Sequence, residues 1–443
     1  MSIRKKASTL KNGNSNQNLG DLTQITVAGY KSISQEQSIE IRPLTILAGA
    51  NSSGKSSIMQ PLLLMKQTLE APYDPGALLL DGPNVKFKSA DQLLSIAGKN
   101  RKSDGFLAGL RMGSEAAVRV YFSRLPQKGF EVQRMTWVDQ YGETDLRPDM
   151  SELEFYHWLP DTLKAAFDEH PHNQIAVTRD RCFLRVDASF YLADFCLPAS
   201  QVFAPQIRRL IHVPGLRGIP ERSYPVTAVG PAFQGTFENY TASVIAQWQS
   251  DKDAAKLEKL GEELRLLGLT WKVEARSIND TQVEIQVGRL MRPAKGEAKD
   301  LVNIADVGFG VSQTLPVLVA LQAAEPGQTI YLEQPELHLH PRAQTAMAEV
   351  LAEAAKRGVR VVAETHSDLL LLGIQTLVAE GRLAPELVKL HWFSRNAAGV
   401  TTVQSADLDE AGAYGDWPED FGEVALTTES RYVDAAARRQ QVH

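Results

Sequence analysis

The sequence predicts an α/β fold in which one parallel sheet takes its strands from both ends of the chain. Antiparallel strands and a helical segment are inserted in the middle. Three observations predict it. The apolar run Leu44-Thr45-Ile46-Leu47 leads straight into a Gly/Ser-rich loop and then into helical spacing over Ile58 to Leu69. Two more short apolar runs, Thr329 to Leu332 and Val359 to Ala363, are flanked by helical stretches. Between these regions the chain alternates with the two-residue period of half-buried strands. Strands separated by helices form parallel sheets buried on both faces, which is why such strands read as unbroken apolar runs.

Taken in order, the first twenty residues carry Arg4, Lys5, Lys6 and Lys11 and then a polar run from Asn12 to Asn18, which predicts an N-terminal tail (1–20). Ile25-Thr26-Val27 alternates as a strand, with Ser38 to Ile41 as its antiparallel partner. Residues 21–95 then form an N-terminal lobe, and 96–300 an insertion. In the insertion, Ala117 to Phe122, Phe130 to Val138 and Cys182 to Tyr191 read as antiparallel strands, and Leu153 to Glu169 as a helix. Phe237 to Leu266 reads mainly as helix, amphipathic over Asp251 to Leu266, and Trp271 to Val287 as a hairpin turning at Asn279-Asp280. A second lobe spans 301–395, with helices over Thr314 to Ala324 and Ala343 to Lys356. A short tail domain takes 396–443.

Composition excludes several classes. Of 443 residues, 47 are Lys or Arg and 53 Asp or Glu, a net charge of −6. No general basic surface of the kind that coats nucleic acid is expected. Two cysteines, Cys182 and Cys196, exclude a disulfide scaffold and an all-cysteine zinc site. The longest apolar candidate, around Leu315 to Leu321, falls far short of the ~20 residues needed to span a bilayer. A secretory signal is missing as well, which predicts a cytoplasmic protein.

Gly49-Ala50-Asn51-Ser52-Ser53-Gly54-Lys55-Ser56, followed by Ser57, satisfies G-x-x-x-x-G-K-[ST] between a strand and a helix. In that setting the glycines let successive N–H groups face the phosphates of a nucleotide. Lys55 reaches the β- and γ-phosphates, Ser56 ligates Mg²⁺, and the helix adds its positive dipole end. The plain alternative is an ordinary Gly/Ser turn. Thr329 to Glu336 is an apolar strand delivering acids at its end, as a Walker B segment does, with Glu333 the natural metal-side carboxylate. Gly308 to Gln313 precedes a helix and is suited to presenting N–H groups and a hydroxyl to an anion. His366 closes the next strand, where a side chain can reach a γ-phosphate. His338 and His340, two residues apart, also suit a metal pair, but no third ligand lies at nearby spacing.

These motifs together resemble the ABC/SMC-type P-loop ATPases of the overcoming-lysogenisation-defect and RecF-like branch. Gly29-Tyr30-Lys31-Ser32, Pro43-Leu44-Thr45 and the P-loop match the N-terminal half of that group. Glu333 to Pro341 resembles its D-E-P-E-x-H-L-H-P box and Ala363 to Ser367 its H-loop. Arg217, Pro220 to Tyr224 and Asp416 to Phe421 are similar to a bacterial subfamily with a short C-terminal domain of unknown function.

The resemblance implies a split ABC-type ATPase core using ATP and Mg²⁺. It also implies a signature motif of Gly310, Ser312 and Gln313 acting in trans on a second copy's nucleotide, with His338 and His340 at that interface. A Q-loop glutamine on the metal side is expected, for which Gln92 is the candidate and a solvated helix residue the alternative. Where most relatives read Asp-Glu, this chain reads Glu333-Gln334. Gln334 then takes the general-base position, where a carboxamide orients water but cannot accept its proton. Glu336 could substitute. Slow hydrolysis and a long-lived ATP-bound dimer follow as expectations.

About 75 residues follow His366, too few for the nuclease module carried by some relatives, so a separate effector is expected. The function expected is that of an ATPase that scaffolds or regulates a nuclease or toxin in anti-phage defence, with no membrane partner. The alternatives are a RecF-like clamp binding DNA directly, supported locally by Arg4, Lys5, Lys6, Arg208 and Arg209, a transporter ATPase subunit, and a small-molecule kinase.

Overall fold

Six strands form the central sheet, in the order Ile211–Val213, Thr329–Glu333, Arg360–Glu364, Leu44–Gly49, Val388–Arg395 and Thr401–Ala406. All neighbours in it run parallel except the last pair. The computed structural model from which this is read describes residues 20–97, 101–114, 116–139, 142–158, 164, 175–188, 199–289, 300–415 and 430–431. The basic cluster Arg4 to Lys6, Cys196 and the Asp416 to Phe421 segment lie outside them.

The parallel strands are short and buried along nearly their whole length, Leu44–Gly49 entirely so. Their residues divide by the two-residue period of a strand. Leu44, Ile46, Ala48, Ile330, Leu332, Val361 and Ala363 enter one core, while Leu47, Tyr331, Val362 and Phe393 enter another on the opposite face. Burying a Val, Leu or Ile side chain contributes about 1.5–3 kcal/mol, so a one-residue slip of any of these strands would exchange its two faces and lose most of that gain.

The first core is covered by helices Thr241–Ser250, Ala254–Leu266, Phe309–Ala323, Pro341–Lys356 and Asp368–Ala379. Phe309–Ala323 is buried at every position from Val311 to Gln322, because it packs against three other helices. That accounts for the apolar run noted in the sequence, since a helix apolar all round is an interior one. No helix among the described residues is long and apolar enough to cross a membrane. The long helix expected over 237–266 is divided at Lys252, whose φ is 56°. There the chain turns, and Asp253 caps the second helix by accepting the Lys256 N–H.

The second core holds helix Lys55–Glu70 and an all-antiparallel sheet of Gln37–Glu40, Leu22–Ala28, Gly105–Met112, Ala116–Leu125, Gly129–Asp139 and Gly142–Leu146. The expected pairing of the first two strands is present, Ile25 opposite Ile39. A smaller sheet centres on Gln282–Gly288, which pairs antiparallel with Val273–Asn279 in the expected hairpin. Strand Phe183–Ala188 pairs with Ile175–Asp180, and helix Glu152–Trp158 starts where expected.

Two strands cross the boundaries drawn from sequence. Ile211–Val213, within the segment 96–300, is the outer strand of the central sheet, and Thr401–Ala406, within 396–443, is its other edge. The antiparallel sheet joins strands from before and after residue 96. A three-residue strand such as Ile211–Val213 is too short to show a period, so only its docking against Thr329–Glu333 defines it.

Candidate functional site

Because Leu44–Gly49, Thr329–Glu333 and Arg360–Glu364 run parallel, their C-terminal ends reach one edge of the sheet, where ligand sites of open α/β sheets form. At that edge lies a cleft of about 530 Å³. Its walls include Asn51, Ser52, Ser53, Gly54, Lys55, Ser56 and Ser57 together with Lys31, Ser32, Gln60, Glu364, His366 and Arg395. The volume falls in the ordinary range for small-molecule sites.

The loop conformation demands its glycines. Gly49 and Gly54 have φ of 139° and 107°, and a Cβ at Gly54 would lie 2.5 Å from Thr401 Oγ1. Ser52 also takes a left-handed φ of 61°. Thr401 buttresses the loop, its Oγ1 2.7 Å from Ser53 O and 2.8 Å from Ser32 Oγ. Helix Lys55–Glu70 starts directly after Gly54, aiming its first N–H groups at the cleft.

Lys55 is buried, and its Nζ donates to Gly49 O at 2.9 Å and Ala50 O at 2.8 Å. Burial lowers its pKa against the charges of Glu364 and Glu336. The His366 Nδ1 stands 3.5 Å away, and His366 is held below its usual range by burial and by the Lys55 charge. A neutral ring there accepts from the ammonium. Ser53 Oγ is buried and has no hydrogen-bond partner. These groups fit a nucleotide with Mg²⁺: a glycine-bent loop lining the cleft, an ammonium held by two loop carbonyls and the His366 ring, an orphaned hydroxyl, and a serine beside a carboxylate.

That carboxylate is Glu364. Ser56 Oγ donates to its Oε1 at 3.0 Å, and Tyr331 OH donates to its Oε2 at 2.8 Å. Burial raises its pKa, the bonds from Tyr331 and Ser56 opposing. The sequence reading gives Glu364 no role of its own, only a place in the Ala363 to Ser367 segment. Its signal was an acid in the last position of an otherwise apolar strand, directly before Thr365-His366.

Glu333 turns the other way. Its Oε1 accepts from His212 Nε2 at 3.1 Å and its Oε2 from the Gly215 N–H at 3.1 Å. Asn84 Nδ2 lies 3.2 Å from His212 Nδ1 and also donates to Gly235 O, which leaves the ring proton on Nε2, facing Glu333. Burial would raise Glu333, but the hydrogen bonds from His212 and Gly215 hold it below the usual range. Gln334 has φ 46°, its N–H donates to Glu364 O, and its carbonyl accepts from Arg217. Glu336 is buried and braces the next turn, accepting from Thr365 Oγ1 at 2.6 Å and the His366 N–H at 3.2 Å, while its Oε2 has no partner.

Other expected residues lie elsewhere. Gln92 does not line the cleft; its Oε1 accepts from the Lys88 N–H near the surface. Gly310, Ser312 and Gln313 form the first turn of helix Phe309–Ala323. Ser312 and Gln313 line a second cavity of about 450 Å³ with Arg217, Glu238 and Thr241. Arg217 joins the two regions. Its Nη1 donates to Gln313 O at 3.0 Å, and its Nη2 to Glu333 O at 2.8 Å and Gln334 O at 3.1 Å. His340 caps helix Pro341–Lys356, and the ring of exposed His338 stands 6.1 Å from that of Phe309. Among the described residues no group of three or more His, Cys, Asp or Glu is placed to hold a metal.

Two protein-family models match the chain. Residues 168–372 match the family described as "AAA domain, putative AbiEii toxin, Type IV TA system", and residues 21–106 the one described as "AAA ATPase domain". The second segment contains Lys55 and Ser56, the first Glu333, Glu364 and His366. Both are ATPase-domain families, which supports ATP binding and ATPase activity for this chain. Among the solved structures to which the chain is similar are three SMC heads. One is an SmcHead bound to the C-winged helix domain of ScpA, 14% identical over 88% of this chain and 99% of that one, with a TM-score of 0.48. The second is the SMC head domain from Thermotoga maritima, 13% identical over 87% and 98%, TM-score 0.39. The third is an Smc head domain with an extended coiled coil bound to the C-terminal domain of ScpA derived from Pyrococcus furiosus, 12% identical over 87% and 96%, TM-score 0.45. No curated protein sequence matches it.

Proposed function

We propose that this protein is a cytoplasmic ABC-type ATPase. It binds ATP with Mg²⁺ in the Lys55 cleft, self-associates around the nucleotide, and controls a separate effector, a nuclease or toxin, in bacterial anti-phage defence. The observation that carries the reading is the convergence of Lys55, Ser56, Glu364 and His366 at one sheet edge, from strands near the two ends of the chain. Support for the defence role comes from the resemblance to the overcoming-lysogenisation-defect branch and from the toxin–antitoxin context in the matched family's description.

Mg²⁺, when bound, neutralises charge on the β- and γ-phosphates and draws electron density from the bond that breaks. The chain supplies the rest. The loop from Asn51 to Ser57 binds the phosphates through N–H groups, and Lys55 leaves its loop carbonyls to meet them. His366 reaches toward the same phosphates from the neighbouring strand. Gln334 orients water without taking its proton, which makes hydrolysis slow and the nucleotide a long-lived clamp. Gly308 to Gly310, at the exposed start of helix Phe309–Ala323, belong to the face offered to a second copy, with Ser312 and Gln313 buried behind them.

The test has three arms. Lys55→Ala is expected to abolish binding of a fluorescent ATP analogue without unfolding the chain. Gln334→Glu is expected to raise turnover, and fast wild-type turnover unchanged by that substitution overturns the slow clamp. Native mass measurement with and without ATP reads the association, and an unchanged mass overturns it. The RecF-like reading draws less support, because Arg208 donates to Leu69 O and Arg209 pairs with Glu325. An ATP-dependent, salt-sensitive shift of duplex DNA would restore it.

A further inference from the structure

We propose that Glu364, and not Glu333, is the carboxylate that holds Mg²⁺ against Ser56, while Glu333 is a tether for the loop that carries Arg217. The inference rests on the reading of the cleft as an ATP–Mg²⁺ site and deepens it. Three observations carry it.

The first is strand order. Arg360–Glu364 lies directly beside the P-loop strand, with Glu364 opposite Leu47, whereas Thr329–Glu333 is one strand further out. Adjacent strands are about 4.8 Å apart, so Glu364 starts one strand spacing nearer the P-loop strand than Glu333 does. The second is contact. Glu364 lines the cleft and already accepts from Ser56 Oγ at 3.0 Å, while Glu333 does not line it. A small hard cation taking the serine oxygen as a ligand keeps most of its waters, and a carboxylate beside that oxygen receives their hydrogen bonds.

The third is commitment. Both oxygens of Glu333 are engaged away from the cleft, by a His212 that is only 1% exposed and by the Gly215 main chain. Freeing them would leave a buried imidazole N–H and a main-chain N–H without partners, which is costly for donors cut off from water. Glu364 is held instead by Tyr331 OH on its far oxygen, which leaves the near one facing Ser56.

The experiment titrates Mg²⁺ into the full chain bound to a fluorescent ATP analogue, with EDTA as the metal-free arm, for wild type, Glu364→Gln and Glu333→Gln. The Mg²⁺ midpoint of Glu364→Gln is expected to rise about 10–100-fold, as when an outer partner of a metal site is removed. Glu333→Gln is expected to keep the wild-type midpoint while losing thermal stability. A raised midpoint in Glu333→Gln with Glu364→Gln unchanged overturns the inference, as does an equal shift, or none, in both. Wild-type binding in EDTA without any Mg²⁺ response overturns the metal site and leaves the ATP reading standing. Wild type that binds in neither arm overturns both. Should Glu364→Gln fail to fold, Glu364→Asp is expected to raise the midpoint in the same direction, and an unchanged midpoint overturns the proposal.

Discussion

Lys31 sits on the wall of the cleft with its ammonium 2.6 Å from Gln60 Oε1 and over the Phe87 ring at 4.6 Å. Burial brings its pKa down to about 8. At neutral pH the group is charged and favours an anion. As pH rises through the free-state value the empty cleft loses that charge, so ATP affinity falls, by at most about tenfold per pH unit for one linked proton. Lys31→Met is expected to weaken binding about tenfold at pH 7, the worth of a charged hydrogen bond, and to flatten the decline between pH 7.5 and 9.5. A profile as steep in the variant as in wild type would show that another group titrates. The same scale explains why the sequence singled out Glu333 and gave Glu364 no role. Both are strand-terminal acids in the sequence, and which one faces Ser56 depends on His212, more than a hundred residues away from Glu333.

Among elements, the turn after Thr329–Glu333 and the first turn of helix Phe309–Ala323 are coupled through one buried guanidinium. Arg217 has its pKa lowered to about 10 by burial against the pull of Glu336, Glu238 and Glu333, so it stays charged at neutral pH. It donates to three carbonyls, on Gln313, Glu333 and Gln334. Arg217→Met fills much of the space but removes the three bonds to those carbonyls, of which Gln334 O keeps the Leu337 N–H. A loss of about 1–3 kcal/mol is expected from the urea midpoint. If the arginine relays the state of the cleft to the signature segment, ATP-driven association will weaken more than ATP binding does. Equal losses in both would reduce Arg217 to a structural brace.

For the whole molecule, the two cores on opposite faces of the central sheet leave Cys182 in the second of them, fully buried. Burial pushes its thiol up. The thiolate is the reactive form, so Cys182 is expected to resist alkylation in the native protein and to label once denaturant exposes the core. Peptide mass analysis after short labelling reads this directly, and rapid native labelling would mean that this core opens. Arg42 with Asp407, and Arg360 with Asp21, tie residues near the start of the described chain to its C-terminal half. That is how a core split in sequence closes in space.

What the sequence by itself determined is local. The strand, loop and helix around Lys55, the apolar runs at 329–333 and 360–364, the hairpin after Val273 and the N-terminal antiparallel pair are each written in neighbouring residues, through period, glycine placement and caps. The tertiary structure alone decided the rest: that Ile211–Val213 edges the central sheet, that Gln92 stands away from the cleft, and that Glu364 rather than Glu333 meets Ser56. Those outcomes depend on which strands lie side by side and on buried hydrogen bonds between distant residues. A carboxylate in a core turns to the donors that satisfy it, and no spacing along the chain records where those donors are.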